Sequence, residues 1–187
     1  LYRIFWVNKN KNYNNQSLAT LMFMRSVKSY VDKFKPDFTY AVWDKKLCYP
    51  STNFRKTVSD TNYKANRDSN IAKEAHKNDE ELRVLMDSLG IKRLYPNRME
   101  ADDVISWIVT EYQTAITKNV IVTVDKDLYQ LIDSRTMVFN PIQKAAITDA
   151  NFSNYTKGVC KDDFLDYKAL IGDNSDNLKG LPKVGHK

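Results

Sequence analysis

Leu18, Leu21, Met22, Met24, Val27 and Val31 recur at close to helical spacing, which predicts a helix from Gln16 to about Phe34. Lys35-Pro36-Asp37 breaks it, and "FTYAVWD" (Phe38 to Asp44) then reads as a strand ending in an acid. Residues 45 to 70 show no clear period. Helical spacing returns from Ile71 to Leu89, with Gly90 as a C-cap. "IKRLY" is a short strand. Val104, Ile105, Ile108, Val109 and Tyr112 form an apolar stripe on a helix expected from Ala101 to about Ile116. "NVIVTV" is a continuous apolar run, as expected for a central parallel strand covered on both faces. A short helix over Lys126 to Ile132, a strand at "TMVFN" and a helix from Phe164 to Ile171 complete the pattern. The alternation predicts an α/β fold: a mostly parallel sheet with helices on both faces.

This layout gives the acidic residues a shared place. In open parallel sheets, ligands bind beyond the carboxyl ends of the strands. Asp44 ends one strand, and Asp125 and Asp127 follow another. "MEADD" sets Glu100, Asp102 and Asp103 at a helix start, and "GDNSDN" brings Asp173 and Asp176 in a loop. Each group alone has a plain structural explanation. Acids favour helix N-termini, Asp127 is placed to cap the helix after it, and "GDNSDN" is a common turn composition. Convergence outweighs these explanations. So many carboxylates brought together need cations to neutralise them, and a donor set of oxygens without His or Cys selects Mg²⁺, Mn²⁺ or Ca²⁺ over zinc. A divided set suits two ions acting on a phosphate ester.

The charge balance supports a polyanionic substrate. The 187 residues hold 29 Lys+Arg against 23 Asp+Glu, a net +6, which lysine-rich solubility alone would explain. The distribution is more informative. Lys45, Lys46, Arg55, Lys56, Lys64, Arg67, Lys73 and Lys77 follow Asp44, with Tyr49, Phe54 and Tyr63 among them. Cations interleaved with aromatic faces suit single-stranded nucleic acid. No stretch is long and apolar enough for a membrane span. Cys48 and Cys160 match no zinc spacing and read as free thiols of a reducing cytoplasm.

"VWD", "YKANRD", "MEADD", "TVDKDLYQL" and "GDNSDNLKGLPKVGHK", in this order, resemble the 5′ nuclease family, its bacteriophage members above all. That family includes phage 5′-3′ exonucleases, the 5′ nuclease domain of DNA polymerase I and flap endonucleases. The resemblance implies one nuclease domain over residues 1–187, with a basic arch at 45–70 and the start of a DNA-gripping helix-three-turn-helix at 172–187. It implies two Mg²⁺ or Mn²⁺ ions. Glu100 and Asp102 would serve the first, with Asp44 direct or through water, and Asp125, Asp127, Asp173 and Asp176 the second. Asp103 would cap its helix or act at one remove. Lys64 and Arg67 would meet the scissile phosphate, and Tyr63 would stack on a terminal base. Lys45, Lys46, Arg55, Lys56, Gly180, Lys183, Gly185 and Lys187 would line the DNA.

The implied substrates are DNA flaps and nicked or frayed ends, with RNA–DNA hybrids beside them. The implied setting is a monomer in a bacterial or phage-infected cytoplasm, working beside a polymerase or single-strand-binding protein. Two departures stand out. The family's first-strand Asp would precede Leu1, so the chain reads as a piece of a longer protein. Lys183 also stands where the family's Gly-x-x-Gly-x-Gly-x-Lys motif has its middle Gly, a motif that carries a K⁺ site. Two other readings remain: a PIN-type metal ribonuclease, and a branched-DNA-binding protein without catalysis.

Overall fold

The structure, a computed structural model, describes residues 16–43, 79–95, 99–174 and 176–184. The chain divides into two compact units, Leu1–Trp43 with Arg67–Tyr95, and Asp44–Asn66 with Pro96–Lys187.

In the first unit, helix α1 spans Gln16–Phe34, the extent its apolar spacing predicts. Strand β1 (Tyr40–Val42) runs parallel to β2 (Lys92–Leu94), with Ala41 opposite Arg93. Between them in sequence lies α2 (Asp79–Ser88), whose Leu82 and Met86 are buried one turn apart. Gly90 takes the left-handed conformation expected of a C-cap, with φ 71°. Arg93 then reaches back with a forked pair of hydrogen bonds to Asp87, at 3.1 and 3.0 Å, tying β2 to the end of α2.

The second unit carries most of the core. Helix α3 spans Ala101–Glu111 and buries Val104 and Val109. It stops about five residues short of the expected end. Thr114 and Thr117 account for this: their hydroxyls bond each other at 2.6 Å, and the Thr117 oxygen accepts the Thr114 amide. Such side-chain bonds compete with the helical ladder. Strand β3 (Asn119–Val122) pairs in parallel with β4 (Thr136–Asn140), and β5 (Ala145–Ile147) pairs antiparallel on the far side of β4. Among the described residues, the strand flanked on both sides is therefore β4, not β3. Burial agrees: Thr136, Val138, Phe139 and Asn140 are buried, while Val122 of β3 is exposed.

A 3₁₀ turn, Asp127–Leu131, comes after β3. Short helix α4 (Phe152–Tyr155) and helix α5 (Phe164–Ile171) come after β5. A two-stranded hairpin closes the described chain, β6 (Gly172–Asp173) against β7 (Leu178–Lys179). One cluster joins these elements: Val109, Ile121, Leu128, Tyr129, Ile132, Val138, Ile147, Phe152 and Phe164. Its aromatic centre fixes how the 3₁₀ turn sits against α5. Tyr129 of the turn stacks on Phe164 of α5, and Phe152 meets Phe164 edge to face at 5.3 Å. No helix among the described residues is long and apolar enough to cross a membrane.

The chain is thus mixed α/β, with parallel pairing at β1–β2 and β3–β4 as the sequence predicts. The described strands form three small sheets rather than one broad one.

Candidate metal centre

The acids of the second unit fall into two groups with different surroundings. The first sits at the start of α3. The Glu100 carboxylate accepts the Asp103 amide, and the Asp103 carboxylate accepts the Glu100 amide at 2.9 Å, a reciprocal capping box. Asp102 Oδ1 also accepts the Asp103 amide, at 3.2 Å. The capping role expected for Asp103 is therefore what the geometry shows. Glu100 shares it, and both carboxylates gain from the positive end of the helix.

The second group gathers around a lysine. After β3, the Asp125 amide bonds the Thr123 hydroxyl, and Asp125 Oδ1 accepts the Asp127 amide at 2.9 Å. This local turn orients the start of the 3₁₀ segment. Asp127 makes no cap bond there; Lys126 holds the cap position, without a side-chain bond. The Asp127 carboxylate instead meets Lys168 Nζ at 2.8 Å. The same ammonium contacts Asp173 Oδ2 at 3.2 Å. Each of the three side chains keeps a quarter to two-fifths of its surface exposed, so the trio lies at the rim of the core.

Packing explains why these three meet. Leu128 and Tyr129, next along the chain from Asp127, are buried and fix the 3₁₀ turn. The Tyr129–Phe164 stack brings in α5, and Lys168 lies one helical turn beyond Phe164. Helix α5 ends at Gly172, whose φ of 69° suits glycine, and the chain folds Asp173 back toward Lys168. A second glycine holds this corner. Side-chain carbons added at Gly172 and Gly180 would collide with Gly180 backbone and Ile171 backbone respectively. Gly180, expected on the DNA, thus has a packing role in the chain itself. The Leu181 amide bonds the Leu170 carbonyl at 2.8 Å beside it.

The electrostatics reflect these contacts. Partial burial alone would depress the Lys168 pKa, but Asp127 and then Asp173 override it and hold the ammonium above the ordinary lysine value. For a metal, the donors suit a hard cation: they are all carboxylate oxygens, and two of them already share one positive charge. Among the described residues, no three His, Cys, Asp or Glu side chains gather as a metal-holding group. The structure thus joins Asp127 to Asp173 through Lys168, and links Asp125 to Asp127 through the backbone. Glu100 and Asp102 are engaged at the α3 terminus, and Asp176 lies in the β6–β7 loop. Asp44, Lys45, Lys46, Arg55, Lys56, Tyr63, Lys64, Arg67, Gly185 and Lys187 fall outside the described residues.

Residues 1–158 match the family model described as the 5′-3′ exonuclease N-terminal resolvase-like domain. The chain belongs to the 5′ nuclease family. It is 30% identical over 190 residues to a 5′-3′ exonuclease of Buchnera aphidicola, covering all of this chain and 64% of that protein. It is 29% identical over 195 residues to DNA polymerase I of Caldicellulosiruptor bescii, again covering the whole chain but 22% of the polymerase. The chain thus spans under two-thirds of the length of these relatives. Its fold is similar to a bacteriophage T5 5′-exonuclease structure with bound zinc, at a TM-score of 0.75, 18% identity, and coverage of 97% of this chain and 68% of that one. A T5 flap endonuclease complexed with DNA and metal ions gives 0.73 and 16%, covering 92% and 65%.

Lys168 is the residue in this arrangement that reading the sequence missed. Its signal is weak: a lone cation in "FLDYKALI", five residues before Asp173. Lys183 is a second informative position. Its φ of 66° is left-handed, which a glycine would adopt without strain, and a glycine is what the family motif has there.

Proposed function

We propose that the chain is a divalent-metal-dependent 5′ nuclease that hydrolyses phosphodiesters of DNA, giving 5′-phosphate and 3′-hydroxyl ends. The observation carrying this reading is the convergence of Asp127 and Asp173, from separate elements, on one cation in a chain of this family. Asp125, Asp127, Asp173 and Asp176 would hold one Mg²⁺ or Mn²⁺, and Glu100, Asp102 and Asp44 the other. When bound, such ions lower the pKa of water and offset charge on the phosphate. The chain's own residues supply the rest. The buried 3₁₀ turn and α5 hold the carboxylates in register, and Lys64 and Arg67 orient the scissile phosphate.

The finer architecture of the proposal is one mostly parallel central sheet, an arch over residues 45–70 and a helix-three-turn-helix beginning at 172. Lys45, Lys46, Arg55, Lys56, Tyr63, Lys183, Gly185 and Lys187 would track the DNA, with K⁺ at the last motif. Flaps, nicks and frayed ends are the favoured substrates, because extracting a nucleotide from a stack costs a few kcal/mol that such ends largely avoid. RNA primers on DNA are a second substrate, and a monomer in a cytoplasm is the proposed state.

The test is cleavage of 5′-end-labelled flap DNA in Mg²⁺, in EDTA, and against single-stranded RNA. Cutting of the flap in Mg²⁺ alone is expected. Preference for the RNA would favour a PIN-type ribonuclease. Salt-sensitive binding without any cutting in Mg²⁺ or Mn²⁺ would favour a non-catalytic DNA-binding protein.

A further inference from the structure

Lys168 does more in this geometry than form a surface ion pair. It is about three-quarters buried, and it reaches two carboxylates that separate elements deliver. Its position is built by packing: Phe164 seats α5 on Tyr129, and Gly172 turns Asp173 back. Without a cation between them, the two carboxylates would repel each other. The lysine removes that repulsion inside the protein.

We propose that Lys168 is a resident counter-ion of the Asp127–Asp173 pair, one that a divalent cation must displace to bind there. The inference rests on the metal reading above and deepens it. The ammonium sits against one oxygen of each carboxylate, so an ion entering between the pair meets a fixed positive charge at contact range. A lysine suits this exchange better than an arginine. Its ammonium is a compact point charge on a flexible stem, whereas a guanidinium fork holds carboxylates in a fixed planar geometry. The exchange has two consequences. The acid pair stays assembled in metal-free protein, and affinity for the ion is set lower than the carboxylates alone would give.

The test is calorimetric titration of Mn²⁺ into the full chain, as wild type, Lys168→Met, Lys168→Arg and Asp173→Asn. Lys168→Gln stands in should the Met variant fail to fold by circular dichroism. The site at the pair is the one that Asp173→Asn removes. Lys168→Met should tighten Mn²⁺ binding there by about tenfold, and its metal-free melting point should fall by roughly 2–4 °C, as loss of about 1 kcal/mol gives in a chain of this size. Lys168→Arg should bind no tighter than wild type. Equal or weaker Mn²⁺ binding by Lys168→Met, with wild type binding normally, overturns the lysine's role and leaves the metal site standing. Identical titrations of wild type and Asp173→Asn overturn both.

Discussion

The acids at the start of α3 and the acids around Lys168 look alike in sequence, yet they are held by different physics. Glu100 and Asp103 turn onto backbone amides of their own helix, a few residues away. Asp127 and Asp173 share the cation Lys168, which lies 41 positions after Asp127 and five before Asp173. The first arrangement stabilises a helix end whether or not any ligand binds. The second brings two negative charges onto one cation. A local backbone bond thus neither marks a carboxylate as a ligand nor removes it as one, whereas two carboxylates converging on one cation are a positive sign.

Substitutions should separate the two groups. The largest effect is expected for Asp127→Asn, which removes charge at the shared cation but keeps the shape. Flap cleavage should fall about 10³-fold, equivalent to roughly 4 kcal/mol of barrier at 1.36 kcal/mol per decade, and the circular dichroism spectrum should stay unchanged. A loss below about tenfold would place Asp127 with Asp103, as an acid of structural role.

Next comes the packing that supports the second group. Phe164→Ala deletes a buried ring of the Tyr129–Phe152–Phe164 cluster and should cost about 3 kcal/mol of stability in urea melts. Its residual activity should also drop more than the unfolded fraction explains, because α5 carries Lys168 and leads to Asp173. Activity that tracks the folded fraction alone would separate the core from the site.

Asp103→Ala should cost about 1 kcal/mol through the lost capping bond. Cleavage per folded molecule should stay within about twofold of wild type, since this interaction is worth so little beyond the helix end. A collapse of activity at full stability would move Asp103 into the metal group.

The smallest effect concerns a third carboxylate, a structural reference for both groups. Burial alone would raise the Asp133 pKa, but bonds from the Arg135 amide, Gln113, the Thr136 amide and the Thr136 hydroxyl outweigh it and hold the group below the ordinary carboxylate value. The stability this gives is complete above the unfolded carboxylate pKa of about 4. It is lost as pH falls through the lower folded value. Asp133→Asn should therefore lose less stability than wild type between about pH 6 and pH 3, read as urea midpoints. Equal losses would show that Asp133 carries no such linkage.

The sequence disclosed the parts governed by local pattern. Helix α1 begins and ends where its apolar spacing does, α5 matches Phe164 to Ile171, and Gly90 caps α2 as its position predicts. The apolar stripe over-extends helix α3 because Tyr112 continues it, while the Thr114–Thr117 hydroxyl pair that ends the helix has no periodic signature. β5 and the two-residue strands of the β6–β7 hairpin escape the pattern because they lie in polar, turn-rich sequence, without the longer apolar and aromatic runs that surround β1 and β2. β5 is set by the Asn140 side chain, which binds the Ile142 and Gln143 amides in the turn after β4. The site was legible as a set of acids. Their sorting was not, because the Lys168 contact with Asp127 depends on how the Tyr129–Phe164 stack brings two distant segments together.

The most direct test is an anomalous difference map from crystals of the full chain grown with Mn²⁺. A peak is expected in contact with both Asp127 and Asp173, with Lys168 Nζ moved off at least one of them. A well-ordered Asp127–Lys168–Asp173 trio with no Mn²⁺ beside it, or with Mn²⁺ bound only elsewhere, would contradict it.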